Sequence, residues 1–150
     1  MINISFPDGA VRQYESGASA MDIAKSISEG LARKVLAAKV NGQVWDLSRP
    51  ISTDASIQLL TWNDVEGKST FWHSSAHLMA EALEAIFPGV KLGIGPAIEK
   101  GFYYDIDLGD RQISEDDLKK LELKMTELAK TNSAYQRKEV SKQKALEHFT

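Results

Sequence analysis

Two histidines four residues apart are the side chains in this sequence best placed to act together chemically. His73 and His77, two of the chain's three histidines, lie in residues 71–87, where apolar residues recur at helical spacing. On an α-helix, positions four apart lie on the same side about one turn apart, so both imidazoles should project from one face. Two neutral imidazoles can position and deprotonate a water molecule, which suits the hydrolysis of an ester.

The predicted helix is apolar almost all round. One broad face carries Trp72, Ala76, Met79, Ala80, Leu83 and Phe87, and the opposite side carries Phe71, Leu78, Ala82, Ala85 and Ile86. The remaining narrow stripe contains His73, Ser74, His77, Glu81 and Glu84. Because such a helix is normally buried, the polar stripe should line a cleft or a second polar surface. The plainer interpretation is that it is the solvated face of the helix.

A metal site at the histidines would need a third ligand, since tetrahedral zinc sites use three or four protein groups. Zinc proteases also place a glutamate directly after the first histidine, where this chain has Ser74. A third ligand would have to come from distant positions, namely Glu84, Asp105, Asp107 or His148. We therefore predict no metal in this part of the protein.

The composition is that of a globular protein, with 43% hydrophobic and 26% charged residues in a chain of 150. A net charge of −3 gives no overall attraction to nucleic acid or anionic lipid, so any nucleic-acid contact must be local. There is no cysteine for disulfides or thiolate metal sites. Neither a membrane span nor a signal peptide is recognisable, and we expect a cytoplasmic location without membrane contact.

The first sixty residues have mostly strand patterns. Residues 2–6 and 11–14 predict a hairpin, and Ser19 can cap a helix that ends near Gly30. Strands are then predicted over 35–40 and 43–46, joined by a type I′ turn at Asn41 and Gly42, and a last strand over 57–60. This order predicts a β-grasp, or ubiquitin-like, domain over residues 1–62.

Helices dominate the remainder, so the whole chain is predicted to be α+β, with a linker at 63–68 and a second α+β domain over 69–150. We predict an aromatic strand over 101–107, a long helix capped by Ser114 that ends near Asn132, a strand over 136–140 and a last helix capped by Ser141. Because that helix runs to the end of the chain without a stop signal, we expect the second domain to be truncated.

Two smaller features of the second domain concern its possible site. Adjacent residues of a strand face opposite sides, so only one of Tyr103 and Tyr104 can face a cleft. We choose Tyr104 and expect Phe102 and Tyr103 to pack in the core. Three glycines, Gly93, Gly95 and Gly101, are spaced too irregularly for a dinucleotide fingerprint and indicate turns or close backbone approach.

Two motifs in this order resemble those of the N-terminal region of bacterial threonyl-tRNA synthetases. The first is HSSAHL at 73–78 and the second is IGPAIEKGFYYD at 94–105. A β-grasp unit and a short linker precede them, so the resemblance covers the whole chain. It implies a TGS domain over 1–62 and, over 69–150, the N-terminal part of the domain that edits seryl-tRNA formed in error.

The resemblance also implies roles for particular residues. His73 and His77 would line the editing pocket, and Tyr104 would contact the terminal adenosine or the bound amino acid. Family members complete this pocket with a cysteine and a further histidine that lie well downstream. Since this chain contains neither, we expect this part to be inactive alone.

As an enzyme, the parent protein implied by the resemblance is a threonine–tRNA ligase, which acts in translation. ATP, magnesium and zinc would belong to its catalytic core, outside this chain, so no cofactor is expected here. The expected partner is the acceptor end of threonine tRNA, bound weakly by this part alone. The parent would form a homodimer through its core, and this part is expected to be a monomer.

Two alternatives remain from the residues themselves. One is a self-contained metal-dependent hydrolase that uses the histidine pair. The other is a non-catalytic module in which the β-grasp unit binds a ligand or RNA. Stoichiometric zinc on His73 and His77 would favour the first, and tight tRNA binding by residues 1–62 alone would favour the second.

Overall fold

The computed structural model describes residues 1–149, and the first part is built on one mixed sheet. Its elements are β1 (Ile2–Ser5), β2 (Val11–Tyr14), α1 (Ala20–Ile27), α2 (Glu29–Ala32), β3 (Ala37–Val40), β4 (Gln43–Trp45) and β5 (Ala55–Leu60). The five strands lie in the order β2-β1-β5-β3-β4. β1 and β5 are parallel and the other pairs are antiparallel. The β-grasp prediction is confirmed.

Local sequence signals account for the turns and caps of this sheet. Asn41 and Gly42 both have positive φ, 48° and 80°, as a type I′ turn requires, and Val40 pairs with Gln43 across it. Ser19 forms a capping box with Asp22 at the start of α1. The predicted helix to Gly30 is instead two short helices, because Ser28 is extended at the end of α1 and its side chain caps α2.

Apolar side chains on one face of the sheet pack against α1. Their cluster includes Ile4, Ile23, Val40 and Ile51, all almost completely inaccessible to solvent. Burying one such side chain stabilises the fold by about 1.5–3 kcal/mol. This cluster is therefore the core of the first part.

The second part is organised around one long helix. Its elements are α3 (Val65–Ile86), β6 (Lys91–Leu92), β7 (Ala97–Ile98), β8 (Gly101–Phe102), β9 (Ile106–Asp107), α4 (Glu115–Lys130) and α5 (Lys142–Phe149). α3 packs against α4 through a cluster that contains Ala82, Leu83, Phe87 and Leu121. No helix within residues 1–149 has the length and apolarity to cross a bilayer.

Two strand predictions in this part are wrong. The aromatic segment 101–107 is not one strand: β8 pairs with β7, β9 pairs with β6, and Tyr103 to Asp105 lie between them. Residues 136–140 form no strand and are exposed to solvent. Their alternating pattern is insufficient because a strand needs a partner whose backbone completes the ladder.

The predicted linker at 63–68 is mostly helical. Asp64 is the N-cap of α3, and only residues 61–64 separate β5 from the first helical residue. Residues 65–68 form the first turn of α3, in which Gly67 is buried, and composition alone does not distinguish such a turn from a linker. The division into domains 1–62 and 69–150 stays a prediction.

Close contacts hold the junction between β5 and α3. The Asp64 carboxylate accepts a hydrogen bond of 2.7 Å from the Thr61 backbone N–H. A Cβ on Gly67 would lie 2.1 Å from the Thr61 carbonyl oxygen, so only glycine fits where the helix meets the strand. Glu66 also pairs with Lys39 of β3. The start of α3 is thereby attached to the sheet.

Replacing Gly67 by alanine should destabilise the chain despite the higher helix propensity of alanine. The propensity gain is about 1 kcal/mol, but the new methyl meets backbone that cannot rotate away, and overpacking costs about 1–3 kcal/mol or more. We expect a net loss in urea unfolding. Gly30→Ala is the matched control, since its Cβ would have no neighbour closer than 3.9 Å. Equal midpoints for both variants would contradict the steric role of Gly67.

The predicted cap of α4 is confirmed. Ser114 and Asp117 form a capping box, and Asp117, only 6% exposed, also pairs with Arg111 at 3.2 Å. The Arg111 guanidinium lies 4.5 Å from the ring centroid of Phe87, which follows α3. The Ser114 backbone and hydroxyl hydrogen bonds, and then the charge of Arg111, lower the pKa of Asp117.

Asp117 should make stability depend on acid pH. Because its folded pKa lies below the unfolded value of about 3.9, its contribution is fully present above that value and is lost as pH falls through the folded pKa. Thermal unfolding from pH 6 to pH 2 should therefore show a smaller fall in Tm for Asp117→Asn than for the natural chain. Asp116→Asn, at an exposed neighbouring position, should retain the natural profile; identical profiles for all three proteins would contradict this role.

Candidate functional site

The two histidines lie side by side on α3, as their spacing predicts. Their Nε2 atoms are 3.0 Å apart, and the rings are nearly perpendicular with centroids 4.7 Å apart. Both side chains are exposed. The pair is therefore hydrogen-bonded to itself and accessible to a ligand from solvent.

The packing of α3 explains why the pair is exposed. Ala76, Ala80 and Leu83 of the broad apolar face are buried, whereas every residue of the polar stripe is exposed. The opposite side is mixed, with Ala82 buried and Phe71 41% exposed. Because the apolar face is turned inward, the helix holds both imidazoles at the surface.

The hydrogen bond between the rings constrains their protonation. One Nε2 must carry a proton and the other must offer a lone pair, and either ring can be the donor. The donor ring, if neutral, has an unprotonated Nδ1 that can accept a proton. If both rings became imidazolium ions, two N–H groups would face each other and the bond would be lost.

A shallow groove of about 400 Å³ runs beside His73, between α3 and the start of β7. Its helix side carries hydroxyl groups and its other side is Pro96 and Ala97. The lining residues are Ser69, Thr70, His73, Ser74, Pro96 and Ala97. His77 lies one turn further along the helix. The groove therefore brings one imidazole of the pair together with hydroxyls and an apolar wall.

Tyr104, which we predict to face a cleft, lies next to this wall. It is partly buried, and its ring lies directly over Gly95, the residue before Pro96. The expectation that Tyr103 packs in the core is wrong, since Tyr103 is 46% exposed. The strand ends at Phe102, so strict alternation of side chains does not extend to the tyrosines. Phe102 itself packs near Trp72, with ring centroids 6.2 Å apart.

The distant residues considered as metal ligands are not brought to the histidines. Asp107 accepts a hydrogen bond from the Gly109 N–H and lies near Lys91, and His148 packs against Phe149. Within residues 1–149, no group of three or more His, Cys, Asp or Glu side chains could hold a metal ion. The described part of the chain thus offers the pair as two ligands without a third.

Sequence reasoning missed the groove wall at Pro96 and Ala97. The available signal was the glycine spacing, which indicated close backbone approach. That expectation is confirmed: a Cβ on Gly95 would lie 2.2 Å from the Tyr104 ring, and one on Gly93 would lie 3.1 Å from the Asp105 carbonyl oxygen. Gly101, with φ of 132°, is the first residue of β8 and directly follows the turn at Glu99 and Lys100.

Comparison with known proteins finds similar sequences for both parts of the chain. Residues 2–61 match the TGS domain. The whole chain is 66% identical over 150 residues to a threonine–tRNA ligase of Cytophaga hutchinsonii, covering 100% of this chain and 23% of that protein. The corresponding ligase of Parabacteroides distasonis is 57% identical over 149 residues, covering 99% and 23%. That of Bacteroides fragilis is 53% identical with the same coverage. The chain thus spans about a quarter of the length of these relatives.

Proposed function

The chain corresponds to the N-terminal region of bacterial threonyl-tRNA synthetases, with a TGS domain at residues 2–61, and from this we propose that it serves their proofreading. The parent enzyme attaches threonine to its tRNA with ATP, in the cytoplasm. The part that follows the TGS domain hydrolyses seryl-tRNA formed in error. The observation that carries this proposal is the exposed pair of Nε2 atoms 3.0 Å apart beside the groove.

A hydrolytic site meets a physical need of such an enzyme. A pocket that selects threonine retains serine too well, because serine keeps the hydroxyl and lacks only one methyl, worth about 1–3 kcal/mol. A second site that removes serine after attachment corrects the resulting errors.

The histidine pair can activate water for this reaction. The bare Nδ1 of the ring that donates the Nε2 hydrogen bond accepts a proton from water, and the resulting positive charge is stabilised by the other ring's Nε2 lone pair. The hydroxide oxygen attacks the carbonyl carbon of the seryl ester. The bond from that carbon to the ribose oxygen then breaks, the ribose oxygen takes the proton back from the imidazolium, and serine and uncharged tRNA leave.

The groove suits the group to be cleaved. A seryl ester presents a small hydroxylated side chain and an ammonium group, and Ser69, Thr70 and Ser74 line the side from which His73 projects. Tyr104, beside the opposite wall, is proposed to contact the terminal adenosine or the amino acid. A downstream cysteine and histidine would complete the pocket, as in the enzymes that this chain resembles.

The chemistry of attachment belongs elsewhere in the parent protein. ATP, magnesium and zinc are proposed for its catalytic core, and residues 1–149 offer no metal cluster for them. The acceptor end of threonine tRNA is the proposed partner of the groove. The parent is proposed to dimerise through its core, and this part alone to be a monomer.

In the intact enzyme, His73→Ala should abolish most proofreading and spare synthesis. Loss of a general base lowers a rate by about 100-fold or more, so hydrolysis of preformed seryl-tRNA should fall by that factor while threonine charging stays within about twofold. His148→Ala is the matched control, because that histidine lies on α5 against Phe149. Seryl-tRNA hydrolysis at the natural rate in His73→Ala would remove the pair from the mechanism.

Metal analysis separates this proposal from a metal-dependent hydrolase. Activation of water by the imidazoles themselves needs no metal, so seryl-tRNA hydrolysis by the intact enzyme should persist after treatment with a chelator. The zinc content of the natural enzyme and that of His77→Ala are then measured, and the two values should be equal. One equivalent of zinc lost in His77→Ala, together with lost hydrolysis, would favour the metal-dependent alternative.

A further inference from the structure

Two short ladders meet at the wall of the groove. β6 and β9 are extended by hydrogen bonds from the Gly93 N–H to the Asp105 carbonyl, 2.8 Å, and from the Asp105 N–H to the Ile94 carbonyl, 2.9 Å. The second ladder begins where Ala97 pairs with Phe102. Gly95 and Pro96 therefore lie opposite Tyr103 and Tyr104, in a stretch between the two ladders.

The ring of Tyr104 occupies the space that a side chain at position 95 would need. A Cβ built on Gly95 would lie 2.2 Å from Cδ2, 2.4 Å from Cε2 and 3.0 Å from Cγ of Tyr104. Cβ atoms in proteins do not approach carbon atoms that closely, so the ring could not keep this position above any other residue. The backbone on both sides is held by the ladders and cannot easily move away.

The same glycine adjoins the groove. Pro96 and Ala97, the next two residues, form the wall opposite the hydroxyls of α3, and His73 lies on the helix side. Tyr104 is partly buried while Tyr103, its neighbour, is exposed. The contact with Gly95 therefore distinguishes the tyrosine that lies by the groove from the one that lies in solvent.

We propose that Gly95 is a positioning residue for Tyr104. Because Gly95 has no side chain, the Tyr104 ring can lie against it at the end of the groove wall, where the ring binds the end of the seryl-tRNA. The role of the ring as a substrate contact rests on the proposed proofreading function. The positioning of the ring by Gly95 does not depend on that function. Gly95 acts through Tyr104, so its effect disappears when Tyr104 is absent.

The first test follows the ring itself. The 150-residue chain is labelled with 3-fluorotyrosine, and the ¹⁹F signal of Tyr104, one of four tyrosines, is identified by its absence in Tyr104→Phe. Gly95→Ala should shift that signal. Gly93→Ala should not, because its methyl would meet Asp105, at 3.1 Å from the carbonyl oxygen, with no Tyr104 atom among the nearest neighbours. An unmoved Tyr104 signal in Gly95→Ala would overturn the proposal.

The second test is a double-mutant cycle on seryl-tRNA hydrolysis by the intact enzyme. Gly95→Ala and Tyr104→Ala should each raise KM about tenfold with kcat within twofold, since both remove binding rather than the proton acceptor. The double variant should be no worse than Tyr104→Ala alone, because removing the ring also removes the collision. A multiplied defect in the double variant would show that Gly95 acts independently of Tyr104.

The two tests fail differently. If the natural intact enzyme does not hydrolyse seryl-tRNA, the proofreading function is wrong, and the ¹⁹F shift still decides whether Gly95 seats the ring. If hydrolysis is normal and depends on His73 but Gly95→Ala behaves as the natural enzyme, the proofreading function stands and the positioning role is wrong.

Discussion

Burial of the apolar face of α3 is the interaction on which the rest of this structure depends. At its start the helix meets the β-grasp sheet at Gly67, in its middle Trp72 packs near Phe102 of β8, and at its end Leu83 joins the cluster with α4. Because one face is covered along its length, the orientation of the helix is determined. The polar stripe therefore faces solvent, and the histidine pair is exposed.

The electrostatics of the pair follow from that exposure. Solvent can carry protons to and from both rings, while their separation of 3.0 Å allows only one proton on the line between the Nε2 atoms. The tautomer of one ring therefore determines the tautomer of the other. An isolated surface histidine lacks this control, which is why a proposed role in water activation depends on the pair.

Elements specified by neighbouring residues were predictable. The Asn41 and Gly42 turn, the capping boxes at Ser19 and Ser114, and the long helix of the histidines each depend on interactions within a few residues. The aromatic strand and the strand over 136–140 failed for the opposite reason, because a strand requires a partner from elsewhere in the chain. Residues 63–68 have the polar composition of a loop, yet 65–68 form the first turn of α3, because their contacts with the sheet are not visible in composition.

The sequence alone determined that His73 and His77 share one side of a helix, since helical periodicity is a local property. It also specified the β-grasp order of strands and helix. Only the tertiary structure decided that Pro96 and Ala97 face His73 across a groove and that Tyr104, rather than Tyr103, lies over Gly95. Those positions depend on how two short ladders pack on α3, and the contacts of α3 with β7 and β8 join residues too far apart in sequence for a local pattern to reveal.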